Sequence, residues 1–321
     1  MKAEKRITST TVLIVICIVT LLCLGTLSID FFTTKFDTSQ QINSLSKEVF
    51  SLNEEVSNLT SLETTVKERA IRAGIDYLTS NYNPDVGLIA ETPHSNVYWL
   101  YSDNFLAALA LNASNWSSNS TITSIADNIS ATLRHYHSSF GNATNGYELL
   151  SSHWRGSCSL DSADNYTVTH VGDADVMVTL NNGSSTLPET QYADVAFLEA
   201  ICNIRLGNFT GWSQGFSDGA SFFNGVGFND TAFREGSSKG IYQTYKLALF
   251  VYAMESQCGP FNQTAYQSAL TTLLQMQAPS GGFSTGYNPD LSINGTTNIE
   301  TTSLAILALS TETYCFGNSL S

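Results

Sequence analysis

The stretch Ala265–Ser310 reads AYQSALTTLLQMQAPSGGFSTGYNPDLSINGTTNIETTSLAILALS. Its first part, Ala265–Gln277, alternates apolar and polar residues at helical spacing. Pro279, Gly281 and Gly282 then stop the helix, because proline lacks a donor and glycine relaxes the backbone. The last part, Ile299–Ser310, is apolar on nearly all faces. Such a helix has to be buried. One half-polar helix, a glycine turn and one buried helix therefore form a unit.

The unit has relatives along the chain. Tyr101-Ser102-Asp103 precedes FLAALAL, Tyr192-Ala193-Asp194 precedes VAFLEAI, and Tyr242-Gln243-Thr244 precedes YKLALFV. Asn298-Ile299-Glu300 precedes TTSLAILAL in the same way. Laying Leu106 on Leu304 brings Ser102 onto Glu300 and Asp103 onto Thr301. The spacing predicts helices over Lys67–Ser80, Trp99–Leu111, Ile122–Tyr136, Tyr192–Arg205 and Tyr242–Ser256. The Tyr starts lie 91 and then 50 residues apart, and Asn298 follows after 56, which fits an internal repeat of about 50. Two regions depart from it. Gly146–Leu180 carries alternating runs at Tyr166–His170 and Val176–Leu180 and predicts a β-hairpin. Gly207–Gly240 interleaves glycine with Phe209, Trp212, Phe216, Phe222, Phe223 and Phe228 and reads as a long functional loop.

Gln277-Ala-Pro-Ser-Gly281-Gly282-Phe283 resembles the Q-x-x-x-G-x-W/F element of the terpenoid-cyclase and protein-prenyltransferase α/α toroids. Leu78–Ile89, with Asn81 and Gly87-Leu88, is a weaker echo. The resemblance covers the ectodomain and is specific around 265–310. It implies a mainly α ectodomain over 68–321, an α/α toroid of helix pairs with the hairpin inserted. The sequence lacks a Gly-Cys-Gly-Glu-Gln thioester segment, a cyclase Asp-x-Asp-Asp acid and the Asp/Cys/His zinc set of a prenyltransferase. A Gly-rich phosphate loop and a Gly-x-Ser-x-Gly elbow are missing as well.

The N-terminal end speaks to location. Residues 1–6 hold Lys2, Lys5 and Arg6, and Ile7–Ile29 is an uncharged run of 23 residues, about 34 Å as a helix and enough to span a membrane. The basic flank places the N-terminus in the cytoplasm and the rest of this single-pass protein outside the cell. The run is long for a signal-peptide core, so an uncleaved anchor is preferred. Residues 30–67 form a stalk. Ile42, Leu45, Val49, Leu52, Val56 and Leu59 step by 3 and 4, a heptad seam with β-branched residues at a and Leu at d. That pattern favours a parallel two-stranded coiled coil, hence a homodimer.

Twelve Asn-x-Ser/Thr sequons support an exterior location. Random placement of 25 Asn among 23% Ser plus Thr would give about six. Four cysteines lie outside the anchor: Cys158, Cys202, Cys258 and Cys315. They read as two disulfides with three possible pairings, none at metal-ligand spacing. Cys158–Cys202 and Cys258–Cys315 are preferred, because Cys258 ends one buried helix and Cys315 follows another. Twenty-eight acids against fourteen bases give a net charge of −14. Nucleic acid is thereby excluded as a partner, since affinity for it comes from neutralising phosphate.

In a toroid, inner helices start at one end of a central cavity. That geometry gathers Asp103, Asp194 and Glu300 at one mouth with Tyr101, Tyr192 and Tyr242, and with Glu91, His94, Tyr98 and Trp99 just upstream. Carboxylates ringed by aromatics suit glycoside chemistry: one acid protonates the leaving oxygen, another activates water or attacks carbon. The expectation is a carbohydrate-active hydrolase or lyase using Asp103 and Asp194 with Glu300 or Glu91 in support, with no cofactor or metal. The competing readings are that Asp103 and Asp194 cap or complement their helices, and that the domain is a non-catalytic glycan- or protein-binding module.

Overall fold

The computed structural model describes residues 38–93, 99–113, 119–135, 146–161, 165–171, 174–180, 186–236, 238–256 and 262–311. The chain is mainly helical with small sheets and divides into two compact units, Met1–Val66 and Lys67–Ser321. In the first unit the description begins at helix α1 (Thr38–Ser80). There Val49 is 42% and Phe50 73% exposed, while Leu52 and Val56 are half-buried. The tail 1–6 and the apolar run 7–29 lie outside the described residues. Among those described, no helix is long and apolar enough to cross a membrane.

The second unit contains the helical units read from the sequence. Helices α2 (Tyr101–Ala113), α4 (Ala193–Arg205), α7 (Thr244–Glu255) and α9 (Ile299–Ser310) are the nearly all-apolar ones, and most of their residues are buried. α9 packs against α2 and α7, and α4 packs against α7. A 3-10 turn at Gly146–Leu150 touches both α2 and α4. Each of three buried helices has an antiparallel, more polar partner. α3 (Ser120–His135) lies on α2, α5 (Phe209–Ser221) on α4, and α8 (Gln263–Gln275) on α7.

The quoted turn seals the last unit. Gln277 Nε2 donates to the Ala70 carbonyl (2.8 Å) and the Gly281 carbonyl (2.9 Å), joining the turn to α1. Gly281 sits at φ +90°, and a Cβ there would meet the Ala73 carbonyl oxygen at 2.2 Å, so only glycine fits. Phe283 is fully buried, and its N–H donates to Thr302 Oγ1 (2.9 Å). The weaker echo repeats this. Ile89 is fully buried, its N–H donates to Asn104 Oδ1 (2.7 Å), and Asn104 Nδ2 donates back to the Ile89 carbonyl (2.9 Å). Asn104 and Thr302 are the residues that the Leu106-on-Leu304 alignment superposes. The repeat is thus physical: one side chain, two residues before the aligned Leu, holds the strand entering its helix.

Two regions differ from expectation. The hairpin forms, β4 (Asn165–Val171) antiparallel to β5 (Ala174–Leu180), but β3 (Trp99–Leu100) joins it in parallel, with Trp99 opposite Val176. Trp99 and Leu100 therefore precede the helix instead of starting it. Gly207–Gly240 is not one long loop, since it contains α5 and the short α6 (Thr231–Glu235). Gly211, Gly215 and Gly219 recur every fourth residue and line one face of α5. Added Cβ atoms would meet Asn203 at 2.6 Å, the Ala196 carbonyl at 3.0 Å and the Phe197 ring at 2.6 Å. The glycines let α5 approach α4 closely; they do not break the helix. Short strands β1 (Tyr82–Asn83) with β2 (Leu88–Ile89), and β6 (Tyr242–Gln243) with β7 (Gly286–Tyr287), complete the unit.

Candidate functional site

The first turns of α2, α4, α7 and α9 carry Asp103, Asp194, Lys246 and Glu300. These groups act on one another. Burial, followed by the Glu300 and Glu91 carboxylates, raises Asp103 well above the usual carboxylate range, against the Ser102 hydroxyl, which donates to its Oδ1 at 3.1 Å. Asp103 Oδ2 is buried without a hydrogen-bond partner. Glu300 is raised by burial and by the carboxylates of Glu91 and Asp194, and lowered by hydrogen bonds from Tyr147 and Asn298. Glu91 is also raised by burial, and its carbonyl accepts from the Ile299 N–H (3.0 Å), fixing it beside the start of α9.

Two phenols join the acids. Tyr147, from the 3-10 turn, donates to Glu300 Oε1. Tyr245 donates to Asp194 Oδ2 at 2.9 Å. Burial and the neighbouring carboxylates push both phenols well above the ordinary tyrosine range, so both are donors at neutral pH. Lys246 Nζ lies 2.5 Å from Asp230 Oδ2 and 3.2 Å from Asp194 Oδ1. The second contact is ionic and out of hydrogen-bond alignment. Asp230 also accepts from the N–H groups of Ala193 (3.1 Å) and Phe233 (3.2 Å), so it caps α6 and ties down the start of α4. The lysine and Asp230 are buried, while the Asp194 side chain is 23% exposed. Glu91, Glu300, Tyr147 and Tyr245 are half-buried. The cluster thus has a sealed base and a side open to water.

The structure brings Asp103, Asp194, Glu300 and Glu91 into one electrostatic cluster. Neither Asp103 nor Asp194 makes a side-chain capping bond, while both stand in the first turn of their helices, where a carboxylate complements the dipole. The residue preceding α4 is Tyr192, without a side-chain cap, and Asp194 bonds Tyr245 instead. Asp103 accepts from Ser102 Oγ, not from a backbone N–H. The aromatics divide differently. Tyr242 is buried, stacked on Phe233 at 4.2 Å and beside Tyr287 at 5.4 Å, and its hydroxyl accepts from Asn224 Nδ2, so it is a packing residue. Trp99 is buried in β3. Tyr101 reaches Glu148 Oε1 (3.4 Å), and burial with that carboxylate pushes it up to about 12. Tyr192 is half-buried against the core. His94 and Tyr98 lie outside the described residues. Among the described residues, cavities with a largely apolar lining lie outside this cluster. One of about 350 Å³ is lined by Phe216, Phe223, Phe250 and Met254, and one of about 340 Å³ by Tyr101, Phe105, Leu109 and Leu133.

Tyr147, Tyr245, Asp230 and Lys246 were not among the site residues that the sequence pointed to. A signal for the lysine existed. It is the only charged residue in the run Tyr245–Met254, and a charge on a buried helix must be paired. Nothing local marks Tyr147. Among the described residues no three His, Cys, Asp or Glu converge as metal ligands.

No family model matches the chain, and neither a curated protein nor a solved structure is similar to it. One disulfide, Cys158–Cys202, is formed with its Cα atoms 5.6 Å apart, as the preferred pairing expects. Cys258 and Cys315 lie outside the described residues.

Proposed function

We propose that this protein is a membrane-anchored exterior glycoside hydrolase whose catalytic unit is an α/α toroid of helix pairs, with the acidic cluster as its active site. The observation that carries the reading is a buried Asp103 with one unpartnered oxygen, beside acids contributed by separate helix starts. An acid held neutral by burial can donate. In this scheme Asp103 gives its proton to the glycosidic oxygen as the bond to the anomeric carbon breaks. Asp194, more exposed and held by Tyr245 and Lys246, takes a proton from the water that adds to that carbon. Glu300, fixed by Tyr147, keeps Asp103 protonated through its field. A net charge of −14 favours a neutral glycan over a uronate, which weighs against a lyase.

The test is cleavage of a panel of neutral oligosaccharides by the purified protein and by Asp103→Asn and Asp194→Asn. The expected loss is at least about 100-fold for each variant, the usual contribution of a general acid or base. Melting temperatures should stay near that of the parent. A parent that binds oligosaccharides without cleaving them would make the same acidic cluster the site of a binding module.

A further inference from the structure

We infer that the asparagines capping α3, α5 and α8, namely Asn119, Asn208 and Asn262, are N-glycosylated, so that the end of the folded unit away from the acidic cluster is covered with carbohydrate. The inference rests on the exterior location in the reading above and is independent of its catalytic part.

The geometry of the caps comes first. Asn119 Oδ1 accepts from the Thr121 N–H (3.0 Å), Asn208 Oδ1 from the Gly211 N–H (3.0 Å), and Asn262 Oδ1 from the Ala265 N–H (3.1 Å). Each cap uses the oxygen. A glycan replaces one hydrogen of the amide nitrogen and leaves the carbonyl, so cap and glycan coexist; at Asn208 the second amide hydrogen keeps the bond to Asn203 Oδ1 (2.8 Å). Each asparagine begins a sequon, with Thr121, Thr210 or Thr264 two residues on, and all six residues are exposed. The capping preference accounts for asparagine at these positions. It does not account for the hydroxyl residue that follows. A fourth capping asparagine, Asn298, is followed by Glu300 and begins no sequon; at 23% Ser plus Thr, three or more such coincidences among four caps have a chance of about one in twenty-five.

The three caps share one end. α2, α4 and α7 start at the acidic cluster and run for 12 or 13 residues, about 20 Å. Their partners run back. Gly87 lies against Thr132 near the end of α3, while its neighbour Ile89 bonds Asn104 near the start of α2. Gly211 faces Asn203 while Gly219 faces Phe197. Lys67 and Tyr266 near the start of α8 both bond Glu255 at the end of α7. The caps therefore sit where the buried helices finish. The sequons at Asn229 and Asn294 lie at the other end, beside Asp230 and the loop that receives the Thr244 N–H. The Cys158–Cys202 bridge agrees with passage through an oxidising compartment.

The full-length protein, made in cells with a secretory pathway, would be deglycosylated enzymatically in heavy-oxygen water, which marks each formerly glycosylated Asn as labelled Asp. Label is expected at positions 119, 208 and 262. Thr121→Ala, Thr210→Ala and Thr264→Ala, which keep every capping bond, should each remove one glycan from the gel mobility. Label at 229 or 294 with none at the three caps would overturn the inference. A wholly unglycosylated chain would overturn it together with the exterior location, while leaving the oligosaccharide assay to judge the catalytic reading separately.

Discussion

At the scale of single residues, Lys246 decides most. Its ammonium sits between Asp230 and Asp194 on an otherwise apolar helix, with 2% of the side chain exposed. Replacing it by Met leaves Asp230 charged and buried without a counter-ion. Removal of one partner of a buried pair costs about 3–5 kcal/mol. Chemical denaturation of Lys246→Met is expected to show a loss in that range, and a variant as stable as the parent would refute the pairing. Glu199 is a second case. It is buried, its Oε1 accepts from the Leu160 N–H (3.0 Å), and burial with the bond to Glu189 pushes its carboxyl up to about 7. A raised acid binds more protons folded than unfolded. Stability should therefore fall as pH rises from about 4.5, its ordinary value, to about 7, and level off above. Unfolding curves across that window should show the slope, and Glu199→Gln should flatten it.

At the scale of elements, the pair α4–α5 sets two effects against each other. Glycine inside a helix costs about 1 kcal/mol relative to alanine, so Gly219→Ala gains that much in propensity. The new methyl would meet the Phe197 ring at 2.6 Å, and Phe197 is itself fixed among Phe216, Phe228 and Phe250. Overpacking a rigid core costs about 1–3 kcal/mol. Net destabilisation of about 1 kcal/mol is expected from Gly219→Ala by thermal unfolding. A variant more stable than the parent would mean that the aromatic cluster yields. The same glycines misled the sequence reading of Gly207–Gly240. Glycine breaks an isolated helix, but here the backbone approach to α4 repays its entropy, and only the partner helix reveals that.

At the scale of the whole molecule, the seam of the stalk offers a surface for association. Val49 is 42% exposed, and an apolar heptad seam gains its burial from a second helix. We propose a parallel homodimer of the full chain through this seam. Sedimentation should show a dimer that Val49→Asp converts to monomer. A parent that stays monomeric at micromolar concentration would refute the association.

The sequence by itself determined the units. Helices without a polar face have to be buried, and their lengths, their order and the Gln277–Phe283 turn follow from local periodicity and from turn residues. The hairpin was legible for the same reason, and so was the preferred Cys158–Cys202 pairing. The tertiary structure alone decided what the acids touch. Asp103 and Asp194 occupy first-turn positions, where capping and clustering look identical in sequence. Only the folded chain shows that Tyr245 and Lys246 hold Asp194 and that Asp103 keeps one oxygen bare. Tyr147 reaches Glu300 from 153 residues away. A contact of that separation leaves no local pattern, because its energy comes from burial that exists only once the helices have packed.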